Sequence, residues 1–343
     1  MAREMVTGAR SVVITGASAG VGRATALAFA RRGWNIALIA REAEGLEDAR
    51  REVAVAGARR VITLPLDVAD AAAVDAAAQQ VAERFGGIDV WVNNAMVTVM
   101  SPVAEMTPEE FRRVTEVTYL GQVHGAMAAL RQMRRHDQGV IVAVGSALSY
   151  RAIPLQSAYC AAKFAVRGFM DSLRCELGHD RSRIRLTMVQ LPAVNTPQFE
   201  WARNRMGERA QPVPPIHQPE AVGEAIFAAA MRPKREVWLG WPTLKAILGG
   251  MAVPGLADRI LADRGYSSQM TGEPLPAGRR DNLFRPVAGP HRTRGRFSSR
   301  AANRVHAIEP TLLRAAIGGA ILALPALAWM AGRRSGTRNR IGG

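Results

Sequence analysis

Short apolar runs alternate with amphipathic stretches along the first 240 residues of the chain. The runs are SVVIT, NIALIA, RVITLPL, IDVWVN, GVIVAVG, RIRLTMVQL and EVWLG. Near-continuous apolarity marks strands of a parallel sheet covered on both faces. Between the runs, helical patterns begin near Val21, Glu42, Ala71, Pro108, Leu155 and Pro219. Seven strands alternating with helices predict an α/β fold, a doubly wound parallel sheet over residues 8–240.

The pattern changes after Gly240. Residues 241–265 are apolar and punctuated by Pro242 and Pro254, which predicts one or two short helices. Residues 266–310 are rich in Gly, Pro, Ser and Arg and read as a mobile basic linker. Residues 311–332 contain AAIGGAILALPALAWMA, Ala315 to Ala331, which carries no charge over 17 residues. That length lies at the lower edge for crossing a bilayer. A transmembrane helix is expected there, with a core helix packed on the sheet domain as the alternative. Residues 333–343 form a basic tail.

Composition narrows the function. The chain has 343 residues, 48% of them hydrophobic, enough for a large core. Its net charge of +16 would suggest nucleic acid if it were spread over a reading surface. Instead, residues 270–343 hold 13 Arg against 3 acidic residues, so the excess lies in the tail. No basic reading helix or aromatic groove accompanies it, and no nucleic-acid partner is expected. The two cysteines, Cys160 and Cys175, fall in one predicted helix about 22 Å apart and cannot bridge. The six histidines show no metal spacing, so no metal is expected. The opening MAREMVTGAR is polar and leads straight into a strand, which predicts no signal peptide. The catalytic domain is therefore expected in the cytoplasm, attached to a membrane by the C-terminal helix.

The candidate chemistry begins in VVITGASAGVGR, between the first strand and the first helix. Glycines there let backbone amides approach a pyrophosphate, and the helix N-terminus favours its charge. The loop assigns Thr15, Gly16, Ser18, Gly20, Val21 and Gly22 to cofactor binding in a Rossmann-type domain. Nineteen residues beyond Gly22, where an acidic residue would select NAD(H), stands Arg41. A guanidinium there suits a 2′-phosphate, so NADP(H) is preferred, with NAD(H) as the second option.

Tyr159 and Lys163 in SAYCAAK lie one helical turn apart on one face. A free tyrosine is only about 0.1% ionised at pH 7, and a nearby cation favours the phenolate. Thirteen residues earlier, Ser146 ends the strand GVIVAVGS, on the side of the sheet that faces the ligand crevice.

With TGASAGVG, LDV around Asp67, the Asn93–Ala95 stretch NNA, Ser146 and YCAAK, residues 8–240 resemble the short-chain dehydrogenase/reductase superfamily. The resemblance implies that Tyr159 is the general acid/base and that Ser146 positions the substrate oxygen. It implies that Lys163 lowers the tyrosine pKa and holds the nicotinamide ribose. Asp67 is then expected at the adenine, Asn94 along the cofactor cleft, Pro192 after the sixth strand, and Thr196 at the carboxamide. Three positions depart from the family: Met96 replaces a glycine, Ala193 another, and Thr118 stands where the fourth catalytic residue is usually asparagine. Leu148, Tyr150, Leu155, Phe199 and Trp201 fall where the family places its substrate pocket; the alternative is that they pack a loop over the cofactor.

These features predict an NADP(H)-dependent oxidoreductase acting on a small lipophilic alcohol or carbonyl compound, as a homodimer or homotetramer. The alternative is a membrane-tethered NADP(H)-binding protein with lost or weak catalysis.

Overall fold

The computed structural model describes residues 10–288 and 291–311, together with Ala315. The chain divides after Ala307 into two units, and the first contains the sheet. The apolar segment expected to cross a membrane, within 311–332, lies outside the described residues except for Thr311 and Ala315, as does the basic tail 333–343. Among the described residues, no helix is long and apolar enough to cross a membrane.

The seven apolar runs form β1 (Ser11–Thr15), β2 (Asn35–Ala40), β3 (Arg60–Pro65), β4 (Val90–Asn93), β5 (Val140–Ser146), β6 (Arg185–Leu191) and β7 (Glu236–Leu239). They pair in the order β3-β2-β1-β4-β5-β6-β7, parallel throughout. A short edge strand beginning at Ala307 extends the sheet past β7, one strand more than the pattern predicts. The order reverses at β1, and the carboxyl ends of β1 and β4 flank that switch point, where ligands of such sheets bind.

Alternate residues of each strand feed opposite faces. Val12, Ile14, Ile36, Leu38, Val90 and Val92 pack toward α1 (Gly20–Ala30), α2 (Ala43–Val55) and α7 (Pro219–Met231). Val13, Ile39, Trp91 and Ile141 pack toward α3 (Ala71–Phe85), α4 (Pro108–Thr115), α5 (Gly121–Met133) and α6 (Ser157–His179). The apolar extension is two helices, α8 (Gly240–Ala252) and α9 (Pro254–Arg264), with Pro254 opening the second.

Residues 266–310 are not the loose linker that their composition suggests. Met270–Pro274 pairs antiparallel with Glu208–Ala210. Leu283 and Phe297 are buried, and the stretch hydrogen-bonds to Arg41 just after β2, to α1 and to the loop after β6. Isolated buried residues and backbone carbonyls hold it in place, and neither leaves a periodic signature.

A five-residue π-helical turn, Glu116–Leu120, joins α4 to α5 and carries Thr118. The Thr118 hydroxyl donates to the Val97 carbonyl at 2.8 Å and accepts from the Val97 amide at 3.0 Å. Both residues are buried, so this single hydroxyl satisfies two backbone groups that water does not reach. Thr118→Val keeps the shape and strands both groups, each at about 1–3 kcal/mol. Urea unfolding should show a loss of about 2–4 kcal/mol, largely restored in Thr118→Ser. A Thr118→Val loss under about 0.5 kcal/mol would show that the bracket does not hold the segment.

Candidate active site

The glycine loop is shaped by close approach. Gly16 and Gly20 have φ of +66° and +55°, where a Cβ is strained. A Cβ on Gly22 would fall 2.2 Å from the Gly16 carbonyl oxygen, so α1 can close onto the loop only with glycine there. Thr15 and Asn94 brace this cradle from behind. The Thr15 hydroxyl accepts from the amides of Asn94 and Ala95 at 2.9 and 3.0 Å, while the Asn94 side chain donates to the Thr15 carbonyl at 2.9 Å. No side chain caps the start of α1, leaving its amides to other partners.

A cavity of about 650 Å³ runs from this cradle across the carboxyl ends of the strands. Its walls include Gly16, Ser18, Gly20, Val21, Arg41, Asp67, Asn94, Ser146, Tyr159, Lys163, Pro192 and Thr196. The volume and the glycine cradle suit a dinucleotide with a small substrate beyond it. Thr15, Gly22 and Thr118 lie outside the walls; the first two shape the loop, and Thr118 is committed to Val97. Met96 lines the cleft, as its bulk implies. Among the described residues, no cluster of side chains has the makings of a metal site.

Three side chains meet at the end of β5. Ser146 closes the strand, and its hydroxyl accepts from the Leu148 amide at 3.1 Å. Tyr159 lies in the first turn of α6, half-buried and hydrogen-bonded to the Ser146 side chain. Lys163, one turn on and fully buried, donates from Nζ to the Val144 carbonyl at 2.7 Å, while Nζ lies 5.5 Å from the Tyr159 ring centroid.

Burial raises the Tyr159 phenol well above its ordinary value, and the Ser146 side chain offsets only part of that. Lys163 is itself pushed down to about 7 by burial, so near neutral pH it is a weakened cation. Desolvation is the leading cause of both shifts.

Arg41 and Asp67 also have partners that their motifs do not reveal. Arg41 donates to the carbonyls of Leu283, at 3.2 Å, and Asn282. Asp67 pairs with Arg113, whose Nε donates to the Leu283 carbonyl at 3.1 Å. Of the five expected pocket residues, Leu148, Phe199 and Trp201 line the cavity. Tyr150 instead donates to the Glu236 carboxylate at 2.7–2.8 Å, and Leu155 is buried with Met100, Ala210 and Met270. Sequence reasoning missed the cavity's outer walls: Ala246, Gly249 and Leu261 on α8 and α9, and Asn282, Val287 and His291. The pair Leu283–Phe284, isolated in a basic stretch, is the one signal that could have found the last group.

Comparison with known proteins agrees with this geometry. Residues 10–206 match the short chain dehydrogenase family. The chain is 30% identical over 328 residues to the uncharacterized oxidoreductase YxnA of Bacillus subtilis, covering 94% of this chain and 90% of that one. It is 33% identical over 264 residues to dehydrogenase/reductase SDR family member 7B of Bos taurus, covering 74% of this chain and 80% of the relative. Among solved structures, the alcohol dehydrogenase of the archaeon Thermococcus sibiricus, complexed with 5-hydroxy-NADP, superposes with a TM-score of 0.58 at 29% identity. That match covers 67% of this chain and 95% of the archaeal one. With a parallel sheet in doubly wound order, a glycine cradle at its switch point and Ser146, Tyr159 and Lys163 converging beside it, the chain belongs to the short-chain dehydrogenase family.

Proposed function

We propose that the chain is an NADP(H)-dependent oxidoreductase that interconverts a small apolar alcohol and its ketone or aldehyde, with Tyr159 as general acid/base. The observation that carries this reading is the convergence of Ser146, Tyr159 and Lys163 on one wall of the cavity that begins at the glycine loop. The NADP-type ligand of the archaeal relative and the guanidinium of Arg41 beside the cradle both favour the phosphorylated cofactor.

Bound along the cleft, the nicotinamide supplies or removes the hydride. The chain's own residues handle the oxygen and its proton. Ser146 holds the substrate oxygen beside the phenol. In reduction Tyr159 gives its proton to that oxygen as the C–O double bond opens, and in oxidation it takes the proton back. Lys163 spends one N–H on Val144, which leaves two for a ribose hydroxyl. Because burial keeps Tyr159 protonated, the acid form ready for carbonyl reduction prevails at neutral pH. Leu148, Phe199, Ala246 and Leu261 add apolar wall to the cavity, which fits a lipophilic substrate.

The finer reading of location is also a proposal: the uncharged run Ala315–Ala331 attaches a cytoplasmic enzyme to a membrane. The full chain should sediment with membranes through a high-salt wash, whereas a chain ending at Pro310 should not. Sedimentation of both or of neither would refute attachment by this run.

Catalysis is tested by Tyr159→Phe. Carbonyl reduction with NADPH, screened over lipophilic ketones and aldehydes, should fall by at least about a thousandfold, the upper range for a lost general acid. NADPH binding, followed by its fluorescence, should stay within a few-fold because the ring still packs. Near-wild-type turnover in the variant would refute the assignment.

A further inference from the structure

The groups assigned to the cofactor's phosphates already serve another part of the chain. Residues 279–288 and 291–297 pass over the adenosine half of the cleft, where Asn282, Pro286, Val287 and His291 help to wall it. Their backbone carbonyls point at cationic and amide donors. Arg41 donates to Asn282 and Leu283, Arg113 to Leu283, and Arg23 to His291 at 2.7 Å. The Gly20 amide, first in α1, donates to the Arg292 carbonyl at 3.1 Å. Leu283 is fully buried in the cluster that contains Ile39, Leu64 and Val68.

We propose that this stretch is a strap that competes with the cofactor's phosphates for Arg41 and the glycine-loop amide, so that NADP(H) binds by displacing it. The proposal rests on the assignment of Arg41 to the 2′-phosphate made above. An amide carries one hydrogen, so Gly20 serves either Arg292 or a phosphate oxygen. A carbonyl oxygen 3.1 Å from that nitrogen stands where the phosphate oxygen would have to be. The Asn282 and Leu283 carbonyls hold two of Arg41's donors in the same way. The exchange favours the phosphorylated cofactor, because a phosphate dianion adds to the guanidinium's hydrogen bonds a charge–charge attraction that a neutral carbonyl lacks. NADH offers Arg41 only an uncharged hydroxyl in place of the phosphate and leaves that end of the strap seated. The strap therefore adds to cofactor choice: the 2′-phosphate is selected by what it can dislodge as well as by what it touches.

The strap's other attachments show how it can lift without unfolding the domain: Arg203 and Asn195 hold its two ends, while the bonds made by the Asn282 and Leu283 amides open. Asp281 binds Arg203 at 2.9 Å and accepts from the Leu283 amide at 3.0 Å. The Asn282 amide donates to the Trp201 carbonyl at 2.9 Å. At the other end, Asn195 accepts from the amides of Gly295 and Phe297 at 3.1 and 3.0 Å. Between these ends the strap makes the contacts directed at Arg41, Arg113, Arg23 and Gly20, together with the ion pairs Arg292–Glu200 and Arg294–Glu220, the latter at 2.8 Å.

Hydrogen exchange on the full chain tests this directly. Saturating NADPH should slow exchange in the glycine loop, Gly16–Gly22, and speed it at least fivefold at the amides of Asn282 and Leu283. Saturating NADH should slow the loop alone. In Arg41→Ala those two strap amides should exchange fast from the start, with no further response to NADPH. A second variant, Asp281→Ala, loosens the strap without altering a cleft group and should tighten NADPH binding several-fold. Slowed or unchanged strap exchange with NADPH, or weaker NADPH binding by Asp281→Ala, would overturn the strap while leaving the proposed function intact. A glycine loop indifferent to both nucleotides would overturn the proposed function and the strap with it.

Discussion

Burial of the Lys163 amine against the Val144 carbonyl is the contact on which the active site depends. It ties the first turns of α6 to the end of β5, so the strand that ends in Ser146 and the helix that carries Tyr159 keep one registration. An amine taken out of water and given one carbonyl holds its proton weakly, and burial brings Lys163 to about 7. A group poised there can lose or regain a proton near neutral pH, which suits the proton transfer proposed for Tyr159. The same burial raises the phenol, so the pair favours a protonated tyrosine over a standing phenolate.

The cofactor side of the cavity is organised by the opposite device. At the glycine loop, backbone comes close to backbone, and donors are left uncapped by side chains. The chain beyond α9 supplies carbonyls to the Gly20 amide and to the Arg23 and Arg41 guanidinium groups, and Asp67 is paired with Arg113. The apolar end owes its walls to α8 and α9, so one extension of the sheet domain shapes the substrate end and the next covers the adenosine end. Access to both halves therefore depends on residues outside the 10–206 span shared with the family.

Much of this was legible in the sequence because it is periodic or motif-bound. All seven strands stand where apolar runs predict them, since strands buried on both faces cannot be polar. Gly16, Ser146, Tyr159 and Lys163 line one cavity because their spacing fixes them to strand ends and helix starts. What depends on distant partners was not legible. Thr118 looks like a degraded catalytic position until its hydroxyl is seen bridging Val97, 21 residues away. Arg41 looks free until Asn282 and Leu283 reach it across more than 240 residues. The direction of the Tyr159 shift follows from how deeply the helix is buried, which no four-residue spacing encodes.

The central claim, that burial holds Tyr159 as a phenol, is tested most directly by titrating that tyrosine. The ultraviolet difference spectrum of the wild-type chain against Tyr159→Phe isolates its phenolate signal from those of the other three tyrosines. The structure predicts no phenolate from Tyr159 as the pH rises through about 10, where an ordinary tyrosine is half ionised. A titration of that signal centred between about 7 and 8, as for a phenol governed by a neighbouring cation, would contradict it.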